Sequence, residues 1–314
     1  MTEAEIIKLR EKEAYDSIAA NYDTYLARYN ARFASDMVDM LYPQQGEVAL
    51  DVAGGSGAAG LKLAERVGGA GSVVITDLSS EMLRLARKNA ATRKLYNIRT
   101  LVMDAEILGF PDDSFDIVTC SFGVMLFPNV SRATSEMRRV LKPGGRIAFS
   151  VWSVPERFPL YAEPMTAFMK HASPLPVRAL LKIPLIRGKM LRWMHLAKGP
   201  SGFSPIRFCE KGSLERQLRA TGFQTVRRVC SAYPLEFQSF DEYWTAMMAV
   251  SPCVNSARRI PAQTVDAVRK ELRARLVSPR TGGVRLFNEA AIILARKPIS
   301  ATPHSPKPSH SPSR

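Results

Sequence analysis

Apolar residues in the middle of this chain fall into short runs separated by amphipathic stretches. Residues 48–52, 72–76, 98–103, 114–121 and 146–152 form the runs; they are short and mostly rich in β-branched residues. Continuous rather than alternating hydrophobicity means that both faces of such strands are covered. Between them, residues 58–67, 80–94 and 129–140 read as helices, with Met82, Leu83 and Ala86 sharing one face of the second. Ser79 is placed to cap that helix, and Lys142-Pro-Gly-Gly145 to stop the third. Further on, the pattern predicts helices over 239–249 and 263–276 and a last strand over 284–295. This alternation predicts an α/β fold: a doubly wound parallel sheet with right-handed crossovers. Ahead of it, Ile6, Ile7, Leu9, Tyr15, Ile18, Tyr22, Leu26 and Phe33 recur at helical spacing, so residues 1–42 read as helical. Pro43-Gln-Gln-Gly46 is the turn at which the main domain, residues 43–297, begins.

The first strand carries one acid, Asp51, and runs into Gly54-Gly55-Ser56-Gly57. Strand, glycine turn and helix form a nucleotide-type site at the carboxyl ends of parallel strands, although a glycine turn alone is equally a tight turn. Asp77 ends the second strand 20 residues past Gly57, where such folds place an acid that bonds ribose hydroxyls.

Composition narrows the field. The chain has 314 residues, 46% hydrophobic and 23% charged, enough for a sizeable core. No apolar run approaches the roughly 20 residues that span a bilayer. Glu3, Glu5, Glu11 and Glu13 set the N-terminus apart from secretory or transit peptides. Cys120, Cys209, Cys230 and Cys253 are widely spaced, so neither a disulfide framework nor a metal site is expected, and a cytoplasmic setting is the default.

Leu50-Asp-Val-Ala-Gly-Gly-Ser-Gly57, Asp77, Asp104-Ala105, Phe110-Pro-Asp-Asp-Ser-Phe-Asp116, Phe122-Gly123 and Glu136-Met-Arg-Arg-Val-Leu-Lys-Pro-Gly-Gly145 stand in the order and spacing of one family. Together they resemble a class I S-adenosylmethionine-dependent methyltransferase, nearest the ubiquinone/menaquinone-biosynthesis C-methyltransferase-like group (methyltransferase type 11). The resemblance implies a Rossmann-like methyltransferase fold, a doubly wound, mostly parallel, seven-stranded sheet with a helix over 211–222, a sixth strand over 223–234 and an antiparallel last strand, and S-adenosyl-L-methionine as cofactor. It implies that backbone at Ala53, Gly54, Gly55 and Gly57 underlies the methionine and ribose moieties, and that Asp77 accepts from the ribose hydroxyls. Asp104 and Ala105 would read the adenine edge, and Leu78 and Met82 would touch the ring faces. Asp51 would hold the glycine turn and meet the cofactor's ammonium, Ser121 and Phe122 would border the site after the fourth strand, and Tyr22 would reach it from an N-terminal helical lid, residues 1–42. Two departures stand out. Ala53 replaces the motif's usual first glycine, and Phe122-Gly-Val-Met-Leu-Phe127 has apolar residues where the quinone enzymes carry an arginine-asparagine pair.

No catalytic base is apparent; His171 and His195 read as surface or packing residues, and Asp112 and Asp113 as turn residues. The helix at 211–222 follows the fifth strand about sixty residues later than the resemblance implies, so residues 153–210 read as a cap over the substrate, with a second helical insertion at 239–280. Between Pro164 and Cys209 the cap has no acid, and Lys170, Arg178, Lys182, Arg187, Lys189, Arg192, Lys198 and Arg207 alternate with apolar residues. A solvated basic face is the plainest account; contact with an anionic membrane through 170–198 is the second, and nucleic acid is disfavoured because no recognisable binding module is present. Residues 298–314 read as disordered. The expectation is methyl transfer to a small apolar or aromatic molecule, with quinone-type C-methylation and a non-catalytic cofactor-fold scaffold as the rivals.

Overall fold

The structure is a computed structural model and describes residues 1–172, 206–250 and 261–299. His195, most of the cap and of the basic segment 170–198, and nearly all of the expected tail lie outside the described residues.

Seven strands form one sheet in the order β3-β2-β1-β4-β5-β7-β6. They are β1 (Val48–Val52), β2 (Ser72–Asp77), β3 (Ile98–Val102), β4 (Phe115–Ser121), β5 (Leu141–Trp152), β6 (Gln224–Phe237) and β7 (Val284–Arg296). β1 to β5 pair in parallel, and β7 runs antiparallel to both β5 and β6. The helices are α1 (Glu3–Tyr22), α2 (Arg28–Asp39), α3 (Ala58–Val67), α4 (Ser80–Thr92), α5 (Val130–Val140), α6 (Pro159–Ala172), α7 (Ser213–Ala220), α8 (Phe240–Val250) and α9 (Ala262–Leu276). A π-helical turn, Asp23–Ala27, joins α1 to α2.

Successive strand residues serve two cores. Ala49, Ile75, Ile117 and Ala148 pack beneath α2 and α3, whereas Leu50, Val52, Val118 and Phe149 belong to the larger core on the other face. That two-sided burial is why the strands read as unbroken apolar runs. Strand order reverses between β2-β1 and β4, and such a switch point opens a crevice at the strands' carboxyl ends.

Two boundaries differ from expectation. Lys142-Pro-Gly-Gly145 lies inside β5 instead of before it: pairing with β4 jumps from Phe115↔Leu141 to Ile117↔Arg146, so these residues form an irregularity with Gly144 at φ +75°. β6 runs on past Pro234 to Phe237; as the sheet's edge strand it tolerates a residue without an N–H. Among the described residues no helix is long and apolar enough to cross a membrane.

α3 lies close on β2. A Cβ at Gly60 would stand 2.5 Å from Ile75 Cγ1 and Cδ1 and 3.1 Å from Asp51 Oδ2. We predict that Gly60→Ala destabilises the fold by about 1–3 kcal/mol, the usual cost of overpacking. Urea unfolding checks this, and an unchanged midpoint would show that the helix can back away freely.

Candidate active site

Above the switch point lies a cavity of about 400 Å³. Its polar end is built by α1, the turn after β1 and the ends of β2 and β3. Its apolar end is built by the turn after β4, the end of β5, α6 and α8.

The turn after β1 is held by two carboxylates. Asp51 is fully buried beneath it; Oδ1 accepts from Thr119 Oγ1 at 2.8 Å and Oδ2 from the Gly60 N–H at 2.8 Å. Burial pushes its carboxyl up to about 7. From the side, Asp77 Oδ2 accepts from the Gly55 N–H at 2.9 Å, and Oδ1 from the Ser79 N–H at 2.9 Å. Burial raises the Asp77 carboxyl above its ordinary value, with those backbone bonds pulling the other way. Gly55 has φ +56° and nothing within 4 Å of where a Cβ would point, so the backbone itself is the cavity wall there. Ser79 Oγ caps α4 by accepting from the Met82 N–H at 3.1 Å, and that directs the start of the helix at the same end.

The turn after β4 abuts the first. A Cβ at Gly123 would lie 2.6 Å from Ala53 Cβ, so these two positions must be small together. Phe122 adopts φ +56°, with its N–H donating to Ser150 O and Oγ, both at 3.1 Å. This sets its ring on Trp152 at 4.1 Å, Trp152 on Phe158 at 4.2 Å, and Phe158 beside Tyr161 at 5.9 Å, all near-parallel. Phe33, fully buried in α2, meets both Phe122 and Trp152 edge-on and fixes the stack from behind. Leu160, Met165, Phe168, Phe237 and Met247 complete the apolar end. Lys170 and His171 of α6 both meet Glu271 of α9 at 2.8 Å, which ties α6 to α9.

Tyr22, Ala53, Gly54, Gly55, Asp77, Leu78, Met82, Asp104, Ala105, Ser121 and Phe122 all line this one cavity. Asp51 and Gly57 do not: Asp51 lies under the turn, and Gly57, at φ +97°, caps α3. His171 lies outside the lining; Asp112 meets Arg139 and Asp113 meets Lys297, as turn residues would. Sequence reasoning missed Lys8, Glu11 and Asn30. Lys8 Nζ donates to Asp104 Oδ2 at 2.7 Å and Glu106 Oε2 at 2.6 Å. Asn30, only 6% exposed, donates through Nδ2 to Tyr22 Oη at 2.7 Å, and its Oδ1 is buried without a partner among the described residues. The one signal for the first two was their place on the stripe Lys8, Glu11, Tyr15, Tyr22.

A family model for the ubiE/COQ5 methyltransferase family matches residues 4–191. The chain belongs to the ubiE/COQ5 methyltransferase family. Among curated relatives, aklanonic acid methyltransferase DauC of a Streptomyces species is 38% identical over 143 residues, 46% of this chain and 65% of that protein. Ubiquinone/menaquinone biosynthesis C-methyltransferase UbiE of Marinomonas is 33% identical over 46% of this chain and 59% of its own length. UbiE of Serratia proteamaculans is 33% identical over 180 residues, 55% of this chain and 70% of its own. The chain thus matches about three fifths of the length of the first of these relatives. In fold, YcgJ of Bacillus subtilis is similar with TM-score 0.53 at 19% identity, covering 86% of this chain and 99% of that one. A Bacillus halodurans protein is similar with TM-score 0.52 at 21% identity, covering 84% and 98%. The matched residues 4–191 include the glycine turn, Asp77 and the turn after β4.

Asp51 makes the turn's support depend on pH. Its folded-state carboxyl sits near 7, above the roughly 3.9 of an unfolded chain, so the folded state binds its proton more tightly. Its contribution is therefore full below about pH 4 and fades as pH rises through about 7. Asp51→Asn keeps a hydrogen-bonding amide without the charge, and should flatten the stability profile between pH 4 and pH 7 in denaturant titrations. Parallel profiles for parent and variant would contradict this.

Proposed function

We propose that this protein transfers a methyl group from S-adenosylmethionine to a small apolar, aromatic acceptor by direct displacement. The observation that carries the reading is the segregation of one cavity: carboxylates and open backbone at one end, stacked aromatic rings at the other.

The residues present fit the cofactor. Asp77 would hold the ribose hydroxyls, since each of its oxygens accepts one backbone bond and keeps a lone pair. The open face at Gly55 admits a ligand against the backbone. Asn30 Oδ1, an unpartnered buried acceptor beside Tyr22, would accept from the cofactor's amino-acid arm. Leu78, Met82 and Ala105 would pack on the adenine. When bound, S-adenosylmethionine supplies an activated methyl group on a sulfonium.

The chain's own contribution is position and dryness. The wall of Phe122, Trp152, Phe158 and Tyr161 offers a flat face for an aromatic ring and holds it beside the glycine turn. α1, α6 and α8 close around it and exclude water. The relatives named UbiE support a second reading, C-methylation of a quinone-type ring, which the same wall fits. Product formation on a hydroquinone against a hydroxylated polycyclic aromatic separates the two. Tight cofactor binding with no product on either would favour a scaffold.

The protein is proposed to be cytoplasmic, with residues 170–198 making peripheral contact with anionic membrane. What supports this is the run of basic and apolar residues with no acid. Replacing Lys182, Arg187, Lys189 and Arg192 by serine should reduce binding to vesicles containing phosphatidylserine. No binding by the parent would remove the idea.

For the cofactor site, Asp77→Ala should weaken S-adenosylhomocysteine binding by about 1.5–3 kcal/mol, the range for hydrogen bonds to charged groups. Calorimetry measures it; unchanged affinity would mean that another acid holds the ribose.

A further inference from the structure

α1 turns one stripe toward the cavity: Lys8, Glu11, Tyr15 and Tyr22, at the spacing of successive helical turns. Both sides of Glu11 on this stripe are pinned. Lys8 is bonded to Asp104 and Glu106, just past β3. Beyond Tyr15, Asp16 Oδ1 accepts from Ser79 Oγ at 2.6 Å, next to Asp77. Glu11 therefore stands over the part of the cavity that runs from the Asp104 corner toward Asp77.

Its carboxylate lines the cavity and has no hydrogen-bond or ion-pair partner among the described residues. The nearby cations are engaged elsewhere, Lys8 as above and Lys12 with Asp16 at 2.7 Å. Asp77, Asp104 and Glu106 bring only negative charge from the strand ends, and Tyr15 a phenol. From α8, Ala246, Met247 and Met248 face the cavity; its acids Asp241 and Glu242 lie in the first turn, Asp241 paired with Arg269 and Arg273. Burial pushes the Glu11 carboxyl up to about 7.

An unpartnered carboxylate in a cavity wall is costly unless a ligand supplies donors. Asp104 accepts from Lys8 on one oxygen and from the Glu106 N–H at 2.9 Å on the other, whereas neither oxygen of Glu11 has a partner among the described residues. We propose that Glu11 is a nucleoside-binding residue of the lid helix, its carboxylate accepting from the amino or hydroxyl donors of a bound adenosine moiety. Recognition of the nucleoside is thereby coupled to the seating of α1. This rests on the methyl-donor reading above.

The test is calorimetry on the full chain with S-adenosylhomocysteine and with methylthioadenosine, which keeps the nucleoside but lacks the amino-acid arm. Because Glu11 acts as an anion, the parent should bind both about tenfold more tightly at pH 8 than at pH 6. At pH 7, titrations in two buffers of different ionisation enthalpy should show net proton release. Glu11→Gln, similar in shape, should bind both ligands about tenfold more weakly at pH 8 and lose the pH dependence. Thermal unfolding checks that it is folded; where it is not, Glu11→Ala takes its place in the same titrations, because Asp51 and Asp77, whose carboxyls are also raised, contribute proton release of their own. Equal affinity of parent and folded variant overturns the proposal. So does a loss confined to S-adenosylhomocysteine, or a parent that releases no proton. A parent that binds neither ligand overturns the methyl-donor reading itself, whereas binding with an indifferent Glu11→Gln isolates the failure to Glu11.

Discussion

The site depends on how one glycine turn is held. Residues 53–57 project above the sheet with little side-chain packing of their own, and two acids supply the restraint. Asp51 grips the start of α3 from below through the Gly60 N–H, and Asp77 grips the Gly55 N–H from the neighbouring strand. Both acids sit at the carboxyl ends of paired parallel strands, with Asp51 opposite Ile75 and Val52 opposite Thr76 in register. The turn's shape is therefore a consequence of strand pairing. Ala53 then bears on Gly123 of the second turn, which passes the constraint to Phe122 and the aromatic stack.

That chain of contacts divides the cavity chemically. Open backbone and carboxylates suit a polar, cationic cofactor at one end. Large flat rings suit an aromatic acceptor at the other. The second end adds α6 and α8, which enter after β5 and between β6 and β7, to the turn after β4 and the end of β5. The aromatic end thus joins residues of the sheet, Phe122 and Trp152, to helices that lie outside the strand-helix repeat.

What the sequence made legible follows from the same division. Strands covered on both faces read as unbroken apolar runs, so the sheet and the acids at its strand ends stood out. Pro234 and the Lys142–Gly145 segment misled because such residues end central elements, whereas here one lies on an edge strand and the other in a bulge. The stack could not be read: Phe33, Phe122, Trp152 and Phe158 come from separate elements and share no period. Lys8 and Glu11 are polar and fall outside the apolar period that marked residues 1–42 as helical. Only the packing of α1 against α4 and the β3 end turns them inward.

Amide hydrogen exchange with and without S-adenosylhomocysteine measures the central claim, that this turn and its flanking strand ends form the cofactor site. The account predicts slowed exchange at Gly54 and Gly55, at Leu78 and Ser79, at Ala105 and along α1, with α7 and the far end of β6 unchanged. Binding that leaves the 53–57 turn and the end of β2 unprotected would contradict it.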